Sequence, residues 1–131
     1  MAALPPLLLV DDNVSLTSAY QPLLQGFGFR VVTANNGHEA VSFCANNPSR
    51  VAVAIIDLKM PDFDGPDTIA ALQAENPGLK IIAVSGDMLS PFFSRLSDLG
   101  VRHFLPKPFS LENVVDAIRD VSPHEFAPAA A

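Results

Sequence analysis

The sequence predicts an α/β fold in which five short parallel strands alternate with five helices, a (βα)5 doubly wound sheet with helices on both faces. Apolar runs rich in Val, Ile and Leu recur five times, and amphipathic segments of helical length lie between them. Parallel strands need crossover connections, which such helices supply. The predicted strands are residues 7–10, 31–34, 51–56, 81–84 and 103–105, and the predicted helices are residues 14–25, 38–45, 67–75, 91–99 and 111–121.

Local signals mark the ends of several helices. The last helix has one apolar stripe at three- and four-residue spacing and begins after Ser110, a residue type that caps helices. Ser90 and Pro91 supply an N-cap and a first-turn proline for the fourth helix, and Gly100 follows it where a C-cap glycine belongs. Pro22 lies inside the first helix, where we expect a kink or a lost hydrogen bond.

Length, composition and charge limit what the chain can be. Its 131 residues, 49% hydrophobic and 17% charged, suit one domain with a buried core, which we expect over residues 7–121, with an extension at 1–6 and a disordered tail at 122–131. We expect no membrane partner, because the apolar runs are short and the N-terminus lacks a secretory pattern. Cys44 is the only cysteine, so no internal disulfide can form, and we expect a reducing, cytoplasmic location. Its place beside Ala40 and Val41 on a helix predicts a buried thiol. The formal charge of −6 argues against direct nucleic-acid binding.

Polar side chains follow four of the five predicted strands. Asp11 and Asp12 follow the first, Asp57 the third, Ser85 the fourth, and Lys107 the fifth. The carboxyl ends of parallel strands share one edge, where ligands bind in sheets of this kind. Three carboxylates at that edge repel one another unless a cation lies among them, and Mg²⁺ prefers such oxygen ligands. With a hydroxyl donor and an ammonium nearby, the set indicates phosphoryl transfer to a carboxylate nucleophile.

In this order the motifs resemble those of the receiver domains of two-component response regulators, over residues 7–121. The motifs are Asp11-Asp12, then DLKMPDFDG beginning at Asp57, then AVSG ending at Gly86, then FLPKPF beginning at Phe104. Each motif alone is weak evidence, whereas four in order at strand ends are specific. The resemblance implies a flavodoxin-like sheet with strand order 2-1-3-4-5.

The resemblance also implies the chemistry of the site. Asp57 is implied to accept a phosphoryl group from a histidine kinase or a histidine phosphotransfer protein. Mg²⁺ or Mn²⁺ is implied to bind to the carboxylates of Asp12 and Asp57, to Asp11 mainly through water, and to the main-chain carbonyl of Lys59. The family's members are signalling modules rather than conventional enzymes, and they catalyse their own phosphorylation and slow dephosphorylation.

A conformational switch is implied as well. Ser85 and Lys107 are implied to bind the phosphoryl oxygens, and the bond before Pro108 to be cis, which aims the lysine inward. Phe104 occupies the position of a Tyr or Phe whose ring moves inward when Ser85 is drawn to the phosphate. The surface formed by the fourth helix, fifth strand and fifth helix would then change. In the family such surfaces bind an effector or the chain's own output domain, or form a dimer.

Two positions beside the site carry charged side chains, where small side chains would leave the phosphorylated Asp57 open to water. Lys59 lies two residues after Asp57, and Asp87 lies two residues after Ser85. In the family these positions flank the path by which water attacks the aspartyl phosphate. An ammonium opposite a carboxylate can pair across that path, so we hypothesise that the phosphorylated form is long-lived.

Other functions remain open at this point. A haloacid-dehalogenase-type phosphatase also uses Asp, Ser or Thr, Lys and Mg²⁺, but it needs a second Asp where this chain has Lys59. A receiver that no longer takes phosphate and acts only as an interaction module is disfavoured by Asp57, Ser85 and Lys107. Taken singly, these residues have ordinary explanations: an Asp pair often caps a helix, and Phe104 could be a core residue.

Overall fold

Five parallel strands form a single sheet in the order β2-β1-β3-β4-β5. The computed structural model describes residues 5–47, 51–58, 65–86, 92–107 and 109–122. The strands are β1 (Pro6–Val10), β2 (Arg30–Ala34), β3 (Val53–Asp57), β4 (Lys80–Ser85) and β5 (His103–Pro106). The helices are α1 (Val14–Gly26), α2 (Gly37–Asn46), α3 (Gly65–Glu75), α4 (Phe92–Asp98) and α5 (Leu111–Val121). The predicted fold class and strand order are confirmed.

The sheet is buried on both faces, which explains why its strands are continuously apolar. In β1 the side chains of Leu7 and Leu9 pack with α1 and α5, whereas those of Leu8 and Val10 pack with α2, α3 and α4. All four of these residues are at most 4% exposed. Because successive side chains point to opposite faces, this alternation fixes how each strand is oriented between the two helical layers.

Two element boundaries differ from the sequence-based prediction by two residues, and the others differ by at most one. β3 begins at Val53 and not at Val51, because the Val51 carbonyl accepts a hydrogen bond from the Asn76 side-chain amide (2.9 Å) outside the strand ladder. Val51 is nevertheless buried, so its apolar character reflects packing rather than strand pairing. α3 begins at Gly65, two residues earlier than predicted, and Pro66 lies in its first turn, where a proline is tolerated.

The predicted helix-end signals are confirmed where the structure describes them. The Ser110 hydroxyl oxygen accepts a hydrogen bond from the Asn113 main-chain N–H (3.1 Å) at the start of α5. Gly100 follows α4 with φ of 80°, a left-handed conformation that favours glycine. α1 continues through Pro22, whose missing N–H removes one hydrogen bond of the helix. Ser90 and Pro91 lie outside the described residues.

Cys44 lies on the buried face of α2 and is 1% exposed. Burial raises the pKa of the thiol, and the charge of Glu75 raises it further. The prediction of a packing cysteine is therefore confirmed.

The structure describes residues close to both ends of the predicted domain. Pro6 pairs with Arg30 in the sheet, and the Ser122 N–H donates to the Ile118 carbonyl. The predicted tail beyond Ser122 lies outside the described residues, within which no helix is long and apolar enough to cross a bilayer.

Candidate functional site

The carboxyl ends of β1, β3 and β5 bring two carboxylates and an ammonium together. The register pairs Val10 with Ile56, so Asp11 and Asp57 follow at the same level of the sheet. The Lys107 Nζ atom lies 3.0 Å from Asp57 Oδ2 and 3.3 Å from Asp11 Oδ2. One ammonium group therefore donates hydrogen bonds to carboxylates from two neighbouring strands.

The electrostatics of this cluster follow from its burial. Asp11 is 4% exposed and Asp57 is 8% exposed, whereas the side chain of Lys107 is 30% exposed. Burial lowers the pKa of Lys107, but the hydrogen bonds and charges of Asp57 and Asp11 outweigh it and leave the pKa above its ordinary value. The ammonium is therefore retained at neutral pH, where it compensates part of the negative charge around it.

A third carboxylate completes an acidic cluster. Asp12 is exposed, and Asp11, Asp12 and Asp57 each offer a carboxylate oxygen that lies within 4.8 Å of the others. Among the described residues of the cluster, three negative charges against the positive charge of Lys107 leave an excess of two. Hard oxygen donors with this excess charge suit a hard divalent cation such as Mg²⁺, so the described residues fit the metal that the sequence predicts.

Main-chain and side-chain donors hold Asp11 in place. The Asp11 N–H donates to the Ala34 carbonyl (3.1 Å), and the Asn13 N–H donates to Asp11 Oδ1 (2.9 Å). The side-chain amide of Asn35 donates to the Asp11 carbonyl (3.0 Å). Asn13 also caps α1, since its side chain accepts the Leu16 N–H (3.1 Å). The sequence offered a signal for Asn13, a cap residue before a helix, but none for the contact of Asn35.

The family model of the response regulator receiver domain matches residues 7–119. The chain belongs to this family. The resemblance predicted from four motifs is thereby confirmed, and the receiver domain is a module of two-component signal transduction. The same match argues against a dehalogenase-type phosphatase, since the fold and family are those of signalling modules.

Relatives carry the receiver domain in longer proteins. Transcriptional regulatory protein CpxR of Escherichia coli K12 is 32% identical over 116 residues, which are 88% of this chain and 48% of CpxR. Sensor kinase CckA of Brucella abortus is 32% identical over 114 residues, which are 87% of this chain and 12% of CckA. The chain therefore spans about half the length of CpxR and a smaller share of the kinase.

Solved structures show the same fold along their whole length. Chemotaxis protein CheY4 of Vibrio cholerae matches with a TM-score of 0.82 and 26% identity, over 91% of this chain and 99% of that one. A response regulator receiver protein of Pseudomonas putida matches with a TM-score of 0.81 and 33% identity, over 92% of this chain and 99% of that one. These matches extend the likeness from the site to the complete receiver fold.

Ser85 and Phe104 lie on one face of the receiver sheet. Ser85 ends β4, is 8% exposed, and its carbonyl accepts the Lys107 N–H (2.9 Å). Phe104 pairs in register with Ala83, and side-chain alternation puts Ser85 on the same face as Ala83. The Phe104 ring is partly buried against the core that α2, α3 and α4 cover. The predicted switch residues are therefore neighbours in the sheet, while their movement stays a prediction.

Three predicted site residues lie outside the described residues: Lys59, Asp87 and Pro108. Their predicted roles as main-chain metal ligand, flanking side chains of the water path and cis-proline stay predictions. The structure adds a contact that the sequence did not reveal. The Tyr20 hydroxyl of α1 donates to the Phe109 carbonyl (3.1 Å), and the two rings lie 5.3 Å apart. This contact joins α1 to the segment that follows Lys107.

Replacing Lys107 with Met tests the charge balance of the site. The substitution leaves two carboxylates, whose side chains are 5% and 10% exposed, without their shared cation. We expect the free energy of unfolding at pH 8 without divalent cations to fall by about 1–3 kcal/mol, between the exposed and buried cases because the lysine is partly exposed. Urea denaturation measures this, with Lys80→Met as the control, since Lys80 is exposed at the opposite end of β4.

The same pair of proteins has a predictable dependence on pH. The folded state raises the pKa of Lys107, so its stabilisation is complete below the pKa of an unfolded lysine, about 10.4. It is lost as the pH rises through the higher folded value. The stability difference between wild type and Lys107→Met should therefore narrow in that alkaline range. A difference that stays constant there would mean that the ammonium charge is not what stabilises the site.

Proposed function

We propose that this receiver domain accepts a phosphoryl group on Asp57 from a phosphohistidine of a histidine kinase or a histidine phosphotransfer protein. The observation that carries the proposal is the position of Asp57. Its carboxylate ends the central strand β3, is hydrogen-bonded to Lys107, and lies within 4.8 Å of the Asp11 and Asp12 carboxylates. A nucleophile, a cation for the phosphoryl oxygens and a set of metal ligands thus occupy one edge of the sheet.

The reaction is a transfer between two nucleophiles. A carboxylate oxygen of Asp57 attacks phosphorus, the new O–P bond forms, and the bond from phosphorus to the histidine nitrogen breaks with its electron pair left on the imidazole. The ammonium of Lys107, 3.0 Å from Asp57, lies where it can neutralise charge on the phosphoryl oxygens. Its second hydrogen bond, to Asp11, keeps it directed into the site.

A divalent cation is the cofactor that this proposal includes. Asp11, Asp12 and Asp57 would hold Mg²⁺ or Mn²⁺, together with the main-chain carbonyl of Lys59. When bound, the ion supplies positive charge that lets a phosphoryl group approach the carboxylates and that stabilises charge in the transfer. The excess negative charge of the cluster supports this assignment.

The phosphorylated site then acts on the surface formed by α4, β5 and α5. Phosphorylation adds about −1.5 to −2 charge and three acceptor oxygens beside Ser85 and Lys107. New bonds to these groups favour whichever loop and helix arrangement makes them best. Phe104, a residue of β5, then moves inward. Changed contacts there serve an effector protein, the chain's own output domain or a second copy of the receiver, with support from relatives that carry the domain within longer proteins.

Phosphorylation with a small phosphodonor tests the proposal directly. We expect acetyl phosphate and Mg²⁺ to add one phosphoryl group to the wild-type chain, as measured by intact mass. Asp57→Asn should abolish the addition because the nucleophile is lost. Asp116→Asn is the matched control, since Asp116 is an exposed aspartate on α5, away from the strand ends. Equal phosphorylation of Asp57→Asn, or none in wild type with Mg²⁺, would overturn the proposal.

A separate prediction concerns the effect of Lys59 and Asp87 on the lifetime of the phosphoryl group. If their side chains pair across the path of the attacking water, Lys59→Ala should release phosphate severalfold faster than wild type. The intact-mass measurement follows the loss after the phosphodonor is removed, and Lys80→Ala controls for the loss of a lysine elsewhere. An unchanged rate in Lys59→Ala would remove the shielding hypothesis and leave the phosphorylation site itself unaffected.

A further inference from the structure

One side-chain amide joins the loop after β2 to the loop after β1, which carries Asp11 and Asp12. Asn35 follows β2, and its Nδ2 atom donates to the main-chain carbonyl of Asp11 and to the hydroxyl oxygen of Thr17, each at 3.0 Å. Thr17 lies in the first turns of α1 and is 2% exposed, and its own hydroxyl donates to the Val14 carbonyl (3.1 Å). The amide therefore connects the end of β2, the end of β1 and the start of α1.

The backbone of Asn35 is itself fixed by the start of α2. The Asn35 N–H donates to a carboxylate oxygen of Glu39 (2.9 Å). In return, the Glu39 N–H donates to the side-chain oxygen of Asn36 (2.8 Å), the N-cap of the helix. Reciprocal bonds of this kind satisfy the free donors of a helix end and hold the preceding residues in one conformation. Asn35 thus presents its amide from a fixed position.

The carbonyl that Asn35 binds belongs to the peptide joining Asp11 to Asp12. The other polar groups of Asp11 are hydrogen-bonded as well. Its main-chain N–H donates to the Ala34 carbonyl, and its carboxylate accepts from the Asn13 N–H and the Lys107 ammonium. The Asp12 carboxylate is exposed, so its direction depends on how this peptide is oriented. Without the amide of Asn35, rotation of the peptide would swing Asp12 relative to Asp11 and Asp57.

We propose that Asn35 is a positioning residue that sets the affinity of the acidic cluster for a divalent cation by holding the Asp11–Asp12 peptide. The inference rests on the proposed function, because it takes the cluster to be the metal site. Hydrogen-bond partners behind ligating groups commonly matter in this way, since they decide where the ligand atoms point before the metal arrives. Asparagine suits the position because one amide group offers two N–H donors to two oxygen acceptors.

Calorimetric titration with Mg²⁺, without any phosphodonor, tests this role. We expect Asn35→Ala to raise the dissociation constant for Mg²⁺ about tenfold, the lower end of what the loss of such partners costs. Asn47→Ala is the matched control: its side-chain amide donates to the Phe43 carbonyl (2.9 Å) at the other end of α2, so its loss should lower stability and leave the Mg²⁺ affinity close to wild type. Urea denaturation of the metal-free proteins gives the stability of each variant.

Two further measurements keep the test decisive. If Asn35→Ala does not fold, Thr17→Val replaces it, because losing the threonine hydroxyl removes one of the amide's two acceptors and should weaken Mg²⁺ binding severalfold. Hydrogen exchange at the Asn13 N–H, which binds Asp11, should also be faster in metal-free Asn35→Ala than in Asn47→Ala. Wild-type Mg²⁺ binding that survives Asn35→Ala unchanged would overturn this role alone. Absence of Mg²⁺ binding in wild type would overturn the metal site and this role together.

Discussion

Two carboxylates whose side chains are 5% and 10% exposed share the ammonium of one lysine at the edge of the sheet. Burying a charge is costly unless it is paired and hydrogen-bonded, so the position of Lys107 between Asp11 and Asp57 is a condition for placing both carboxylates there. The lysine does not balance all of the negative charge, because Asp12 adds a third carboxylate nearby. Among the described residues the site therefore holds more negative than positive charge, which is the property that a metal-dependent phosphoryl acceptor needs.

The sheet supplies the geometry that this interaction requires. Its strands run parallel, so every strand ends at the same edge, and the register of β1 against β3 places Asp11 beside Asp57. Packing between two helical layers holds that register, because a shift by one residue would move each side chain from the core cluster that it fills to the cluster on the other face. Lys107 directly follows β5, which lies two strands from β3 in the sheet. Its main-chain N–H donates to the Ser85 carbonyl at the end of β4. Packing far from the edge thus decides the distances within the site.

Much of the fold and the core of the site could be predicted from the sequence because their signals are local. A short apolar run followed by an acidic, hydroxyl or basic residue marks a strand and its end. What could not be predicted joins residues far apart in the chain: Asn76 draws the Val51 carbonyl out of the strand ladder, Asn35 reaches Asp11, and Tyr20 binds the Phe109 carbonyl. No periodicity or cap signal identifies such partners, since the tertiary fold determines which of many possible acceptors lies within reach of an amide or hydroxyl.

The excess negative charge of the cluster is the central claim, and the dependence of thermal unfolding on Mg²⁺ tests it most directly. Asp12 is exposed, so Asp12→Asn removes a charge and a ligand without leaving a buried group unpaired. At an ionic strength held constant with NaCl, Mg²⁺ should raise the unfolding midpoint of the wild-type chain, because a ligand that binds the folded state stabilises it. Asp12→Asn should show little or no rise. An equal rise in both proteins would show that Mg²⁺ acts elsewhere and would contradict the account.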